Sequence, residues 1–171
     1  VPVYNEEENI ANFYKAVTDV MSGLTYDYEL IFVDDGSSDS SAMILREIAF
    51  NDKHVKVLLL ARNFGHQTAL TCGLDYAHGD AVITMDGDMQ HPPALIPELV
   101  RLWESGYDVV RTIRDSTDDA SWAKSFTSKY YYKLMNKMAD VPIVEGGSDF
   151  RLMNSKALGT LKRFREHGRF L

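Results

Sequence analysis

Apolar runs alternate with helical patterns about four times along this chain, and that alternation restricts the possible folds more than any other feature. The runs lie at 28–33, 55–60, 81–85 and 108–112, and residues 1–4 read as the end of another strand. Between them, apolar side chains recur at helical spacing. Ile10, Phe13, Val17 and Val20 precede Gly23, and Met43, Ile44, Ile48 and Phe50 mark a helix over about 40–51. Further helices are expected after the loop Ala61–Gln67, through Cys72 to His78, and over roughly 93–105. Short apolar strands separated by helices build a mostly parallel sheet covered on both faces, an α/β Rossmann-like architecture. In open sheets of this kind, ligands sit beyond the carboxyl ends of the strands. The polar clusters of the chain fall there: Asn5-Glu6, Asp34-Asp35, Arg62-Asn63, Asp86 with Asp88, and Arg111 with Arg114.

The 171 residues are enough for a single α/β domain spanning the whole sequence. A net charge of -7 argues against generic nucleic-acid binding. Basic residues nevertheless gather near the end, where Arg151, Lys156, Lys162, Arg163, Arg165 and Arg169 stand against Glu166. The one cysteine, Cys72, leaves no disulfide within the chain and no CxxC knuckle. It sits on an apolar helical face and reads as a buried structural thiol. No apolar run is long enough to span a bilayer. Both ends read as cut, so the expectation is a domain excised from a longer protein.

The stretch from Thr84 to Pro93 carries the strongest chemical signal. An apolar run leads into Asp86 and Asp88, separated by Gly87. Side chains alternate along a strand, so these two carboxylates are expected to point the same way. Converging carboxylates repel unless a cation sits between them. Mg²⁺ or Mn²⁺ suits such oxygen ligands and commonly holds substrate phosphates as well. Gln90 is placed to add an amide oxygen, and Gly87 to let a ligand approach the backbone. The competing reading is a solvated Asp-Gly turn. Asn5 reads as a helix N-cap, with Glu6, Glu7 and Glu8 in the first turn. His54, His66, His78 and His167 show no metal-ligand spacing and read as surface or helix residues, while His91 directly follows the carboxylate motif.

After Arg114 the alternation breaks. Trp122, Phe126, Tyr130, Leu134 and Met138 recur every fourth residue, with Lys129, Lys133 and Lys137 beside them. This pattern suits an amphipathic helix packed on the sheet, or one lying on a membrane surface over a lipid acceptor. Gly146-Gly147 then precede Asp149 and Arg151, and suggest a tight loop that brings both side chains to one place; a plain turn with a surface ion pair is the alternative.

Together these motifs resemble the family 2 glycosyltransferases, which have a GT-A fold. The resemblance covers essentially the whole chain. It rests on Val1-Pro2-Val3-Tyr4-Asn5-Glu6, on Val33-Asp34-Asp35-Gly36-Ser37-Ser38-Asp39, on Arg62-Asn63-Phe64-Gly65, and on the segment from Asp86 to Pro93. The segment from Gly147 to Met153 is most similar to the branch of dolichyl-phosphate mannose synthases and bactoprenol glucosyltransferases.

The resemblance implies a metal-dependent, inverting hexosyltransferase. Its donor would be a nucleotide sugar, with UDP-glucose ahead of GDP-mannose, and its acceptor a polyprenyl phosphate such as undecaprenyl phosphate. It further implies C-terminal transmembrane helices beyond this segment, a location on the cytoplasmic face of the membrane, and a possible homo-oligomer of the full-length protein. Pro2, Tyr4 and Glu6 would line the base and ribose pocket, and Asp35 would bond the base with Asp34 in support. Arg62, Arg111 and Arg114 belong to the donor side, the last two as phosphate holders. Asp86, Asp88 and Gln90 would hold the metal on the donor diphosphate, and Asp149 and Arg151 would serve the acceptor.

Transfer to a saccharide hydroxyl in envelope polysaccharide synthesis, and non-catalytic binding of a nucleotide sugar, are the alternatives. A Rossmann dehydrogenase needs a glycine-rich turn after its first strand, and Tyr4-Asn5-Glu6-Glu7 stands there instead. Neither a Walker loop nor a Gly-x-Ser-x-Gly motif occurs. A nucleotidyltransferase would carry a basic, glycine-rich phosphate loop near the first strand, which is also missing.

Overall fold

The computed structural model describes residues 1–113 and 147–163. Residues Val1–Val110 and those from Asp149 onward form one compact unit; Arg111–Ser148 form a second, of which little is described. The helix expected near 121–140, Arg114 and the basic residues beyond Arg163 lie outside the described residues. No helix among the described residues is long and apolar enough to cross a membrane.

The order of elements follows the alternation. β1 (Pro2–Val3) leads to α1 (Ile10–Met21), β2 (Leu30–Asp34), α2 (Ser41–Asn51), β3 (Val55–Leu59) and α3 (His66–Tyr76). β4 (Ala81–Thr84), a short 3₁₀ turn (Pro93–Leu95), α4 (Ile96–Glu104) and β5 (Val109–Ile113) come next, and β6 (Gly147–Asn154) and α5 (Ser155–Arg163) close the described chain. β1, β2 and β3 are neighbours in one parallel sheet, with Pro2 beside Val33 and Leu30 beside Val55. A second sheet has the order β4-β6-β5.

Alternation along the strands builds two cores. On β2, Leu30 and Phe32 face α1, α2 and α4, while Ile31 and Val33 face α3 and α5. The first core centres on Phe13 and Phe32, whose rings meet edge to face at 6.0 Å. Ile10, Phe13 and Val17, one to a turn, are the buried stripe that makes α1 a helix here. The second core collects Ala69, Leu70 and Leu74 of α3 with Met153 and Leu158. Cys72 lies at the edge of that core, partly buried, and burial pushes its thiol above the usual range.

Three local expectations need correction. Residues 147–154 form a strand, not a tight loop: Phe150 and Leu152 point into the first core while Met153 points into the second. β6 pairs antiparallel with β4, placing Thr84 opposite Arg151. Asn5 is not the cap of α1, which starts five residues later at Ile10 with Asn9 as N-cap. Asn5 instead takes a left-handed φ of 54°, and its side chain accepts the Ser38 amide at 2.8 Å. Finally, β4 ends at Thr84, so Asp86 and Asp88 lie beyond the strand and strand alternation does not govern them.

Candidate active site

The loops that follow β1, β2 and β3 are laced together by side chains. Ser37 Oγ accepts the Asn5 amide and Ser41 Oγ the Glu6 amide, each at 2.9 Å. Glu7 returns the favour by accepting the Ser40 amide at 2.8 Å. Asp35, buried at the end of β2, reaches across to the next loop. Its two oxygens accept the amides of Phe64 and Gly65 at 2.8 and 2.9 Å. Asp34, equally buried, accepts the Ser37 amide at 3.3 Å through Oδ2, and its Oδ1 has no hydrogen-bond partner. Gly36 makes the close packing possible: at φ +70° a Cβ there would lie 2.4 Å from the backbone of Arg62.

These loops, together with the loop after β4, line a cavity of about 290 Å³. Pro2, Tyr4, Glu6, Asp35, Asp86 and Asp88, widely separated in sequence, all line it, together with Asn63 and His66. Gly87 packs on β1 here with room for a methyl group, its would-be Cβ 3.5 Å from Pro2 O. Arg62 stands outside this lining, exposed, with its guanidinium 4.2 Å over the ring of Phe64. Arg111 is an exposed residue of β5 in the second unit. A larger cavity of about 480 Å³ opens near the amino ends of β2 and β4. Its lining is mainly apolar core, including Leu30, Leu74 and Ile83, and it lacks the convergent polar groups of a reactive site.

The β4–β6 register organises the chemistry. The register ends with Thr84 opposite Arg151, so β6 brings Asp149 to the end of β4, next to the loop that carries Asp86. The Thr84 hydroxyl donates to the Asp149 carbonyl and pins this end of the pairing. Arg151, on the same face of β6 as Asp149, donates to Asp149 Oδ1 at 2.6 Å. His66, the first residue of α3, places Nε2 at 3.5 Å from Asp86 Oδ1 and 3.4 Å from Asp149 Oδ2.

His91 fixes the backbone of the motif. It is buried, stacks on Phe150 at 5.3 Å, and accepts the Asp86 amide at Nδ1 at 2.9 Å. A ring nitrogen that accepts an amide carries no proton. Its 3.5 Å approach to Asp86 Oδ2 is therefore proximity and not an ion pair.

Asp86 Oδ1 is buried without a hydrogen bond, which suits an atom kept for a ligand. Asp88, in the adjoining turn, accepts the Gln90 amide at 3.0 Å through Oδ1. Among the described residues no group of three or more His, Cys, Asp or Glu is arranged to hold a metal ion. Two carboxylates still fit Mg²⁺ or Mn²⁺, because such ions are often held by one or two carboxylates together with substrate phosphates. Sequence spacing missed His66 as a member of the site, since its two partners lie far away along the chain.

Comparison with known proteins identifies the family and the fold. The profile of Glycosyl transferase family 2 matches residues 1–161. The uncharacterized glycosyltransferase YkcC of Bacillus subtilis is 43% identical over all 171 residues, which cover 53% of its length. The bactoprenol glucosyl transferase of Shigella phage SfV is 40% identical, again over the whole chain and 56% of its own length. The chain thus spans about half the length of the curated relatives it matches. Among solved structures, mannosyltransferase PcManGT from Pyrobaculum calidifontis, in complex with GDP-Man and Mn²⁺, matches 94% of the chain and 44% of its own (TM-score 0.63, 20% identity). Mannosyl-3-phosphoglycerate synthase from Rubrobacter xylanophilus matches 90% of the chain and 51% of its own (TM-score 0.65, 16% identity). The fold is the GT-A fold, and the chain belongs to glycosyl transferase family 2.

Proposed function

We propose that the protein moves a hexose, with inversion, from a nucleotide sugar to a polyprenyl phosphate, with UDP-glucose the favoured donor and GDP-mannose the next. The observation that carries this reading is that His66 lies within 3.5 Å of both Asp86, which lines the cavity, and Asp149, which holds Arg151. It is supported by relatives about 40% identical that are named bactoprenol glucosyl transferases. Pro2, Tyr4, Glu6 and Asp35 would receive the nucleoside, with Asp34 behind them. Arg62 is assigned to substrate binding, and Arg111 and Arg114 to the donor phosphates.

Asp86, Asp88 and Gln90 would hold Mg²⁺ or Mn²⁺. When bound, the ion would offset the charge of the departing nucleoside diphosphate. A lipid monophosphate is largely ionised at neutral pH, with a second pKa of about 6, so it needs a cationic seat more than a base. Arg151 has five N–H donors, and one of them is committed to Asp149. Asp149 therefore orients the guanidinium, which holds the acceptor phosphate for attack on the sugar. The parent protein would work at the cytoplasmic face of a membrane, with the lipid acceptor reaching the site from the bilayer and homo-oligomers forming in the full-length protein.

Calorimetric titration with UDP and with GDP, each with Mn²⁺ and with chelator, tests the donor half. One nucleotide should bind only with the ion, and Asp88→Asn should abolish that dependence. Turnover of a donor-sugar panel with undecaprenyl phosphate tests the other half. Normal turnover by correctly folded Asp149→Ala would sink the role given to Asp149.

A further inference from the structure

A single imidazole stands between the two carboxylates of the site. His66 Nε2 is 3.5 Å from Asp86 Oδ1 and 3.4 Å from Asp149 Oδ2. Both distances allow an ion pair, and both are longer than a good hydrogen bond. A ring nitrogen carries at most one proton, so Nε2 can close on only one carboxylate at a time. The other oxygen of Asp149 is already held by Arg151 at 2.6 Å. The His66 side chain is 42% exposed, which leaves the ring room to shift between the two.

We propose that His66 is a positioning residue that couples the two halves of the site. It divides Nε2 between Asp86 and Asp149 while Asp86 holds no cation, and gives it wholly to Asp149 when one is bound. The proposal rests on the reading of Asp86 as a cation ligand and of Asp149 as the group that orients Arg151. The physical reason is competition for one oxygen. With a divalent ion held at Asp86, that carboxylate would be neutralised and the ring N–H repelled, which would leave Asp149 Oδ2 as the remaining acceptor. Asp149 is then gripped on both oxygens, by Arg151 and by His66, and the guanidinium is fixed in direction. No bond is made or broken at His66, and no proton leaves it.

This role moves two readouts in opposite directions. In His66→Ala the facing carboxylates lose a competing donor and repel each other more, so Mn²⁺ should bind more tightly, by about fivefold. Turnover with undecaprenyl phosphate should fall by about tenfold, as when a partner that orients a functional group is removed. His66→Gln, whose amide N–H reaches close to the Nε2 position, should restore both to within about twofold of wild type. His66→Asn, too short to reach either carboxylate, should behave like the alanine variant and replaces it should that variant fail to fold.

Mn²⁺ affinity is measured calorimetrically in the presence of whichever of UDP and GDP binds. Weaker Mn²⁺ binding in His66→Ala would make His66 a ligand and overturn the proposal. Unchanged affinity, unchanged turnover or failure of the glutamine rescue would also overturn it. Wild-type protein without metal-dependent nucleotide binding would overturn the reading of the whole site, whereas normal wild-type binding with any of the other results overturns the role of His66 alone.

Discussion

Asp35 uses both of its carboxylate oxygens inside the protein, on the amides of Phe64 and Gly65. An asparagine there would turn an NH₂ group toward one of those amides and leave two donors facing each other. Asp35→Asn should therefore lower stability by about 1–3 kcal/mol, the cost of an unsatisfied buried group. Chemical denaturation measures this directly. A variant as stable as wild type, impaired only in nucleotide binding, would assign the carboxylate to the ligand alone. The sequence marked Asp35 through its place after an apolar strand, but its partners are main-chain amides, and no side-chain pattern announces those. His66 was illegible for a related reason. Its partners Asp86 and Asp149 lie far from it along the chain and meet it only in the folded protein, and a lone histidine at a helix start looks like any surface residue.

At the level of elements, the site depends on loops that hold one another. The loop after β2 is the middle member, tied to the β1 loop through Ser37 and Ser41 and to the β3 loop through Asp35. Gly36 is its tightest point. Gly36→Ala combines a left-handed backbone with a Cβ 2.4 Å from the Arg62 carbonyl carbon, and main chain cannot step aside as a side-chain tip can. The expected loss is about 2 kcal/mol or more, read by denaturation, with nucleotide affinity falling alongside it. Strands and helices up to β5 were legible from apolar periodicity, although on α2 Met43 and Phe50 are exposed and Leu45 is the buried apolar residue. β6 was not, since the glycines before Asp149 resemble a turn. Its alternation of Phe150 and Leu152 with Asp149 and Arg151 becomes informative only once a partner strand is known.

Across the whole molecule, stability in acid is tied to a junction far from the reactive cavity. Asp52 caps the end of α2, accepts the His54 amide at 2.9 Å and approaches His54 Nδ1 at 2.8 Å. It also accepts the Tyr14 hydroxyl of α1 at 2.9 Å. The His54 amide foremost, and then the other partners, hold its carboxyl below the usual carboxylate range. A depressed acid stabilises the fold fully above its unfolded pKa of about 4, and the contribution is lost as pH falls through the folded value. Tyr14→Phe raises the folded value toward the unfolded one. The acid-unfolding midpoint, followed by circular dichroism, should therefore move to higher pH, with a loss of about 0.5–1.5 kcal/mol at neutral pH.

The pairing of β4 with β6 also has a meaning in time. Thr84 and the Asp149 carbonyl it holds are 65 residues apart. At about 5–20 residues per second, the first four strands leave the ribosome roughly 3–13 seconds before the strand that completes them. For that interval His66 near Asp86 has no Asp149 to reach, His91 has no Phe150 ring against it, and one edge of β4 lacks its partner. The half of the site assigned to the nucleotide is thus made early and waits, and the half assigned to the acceptor is supplied last by β6.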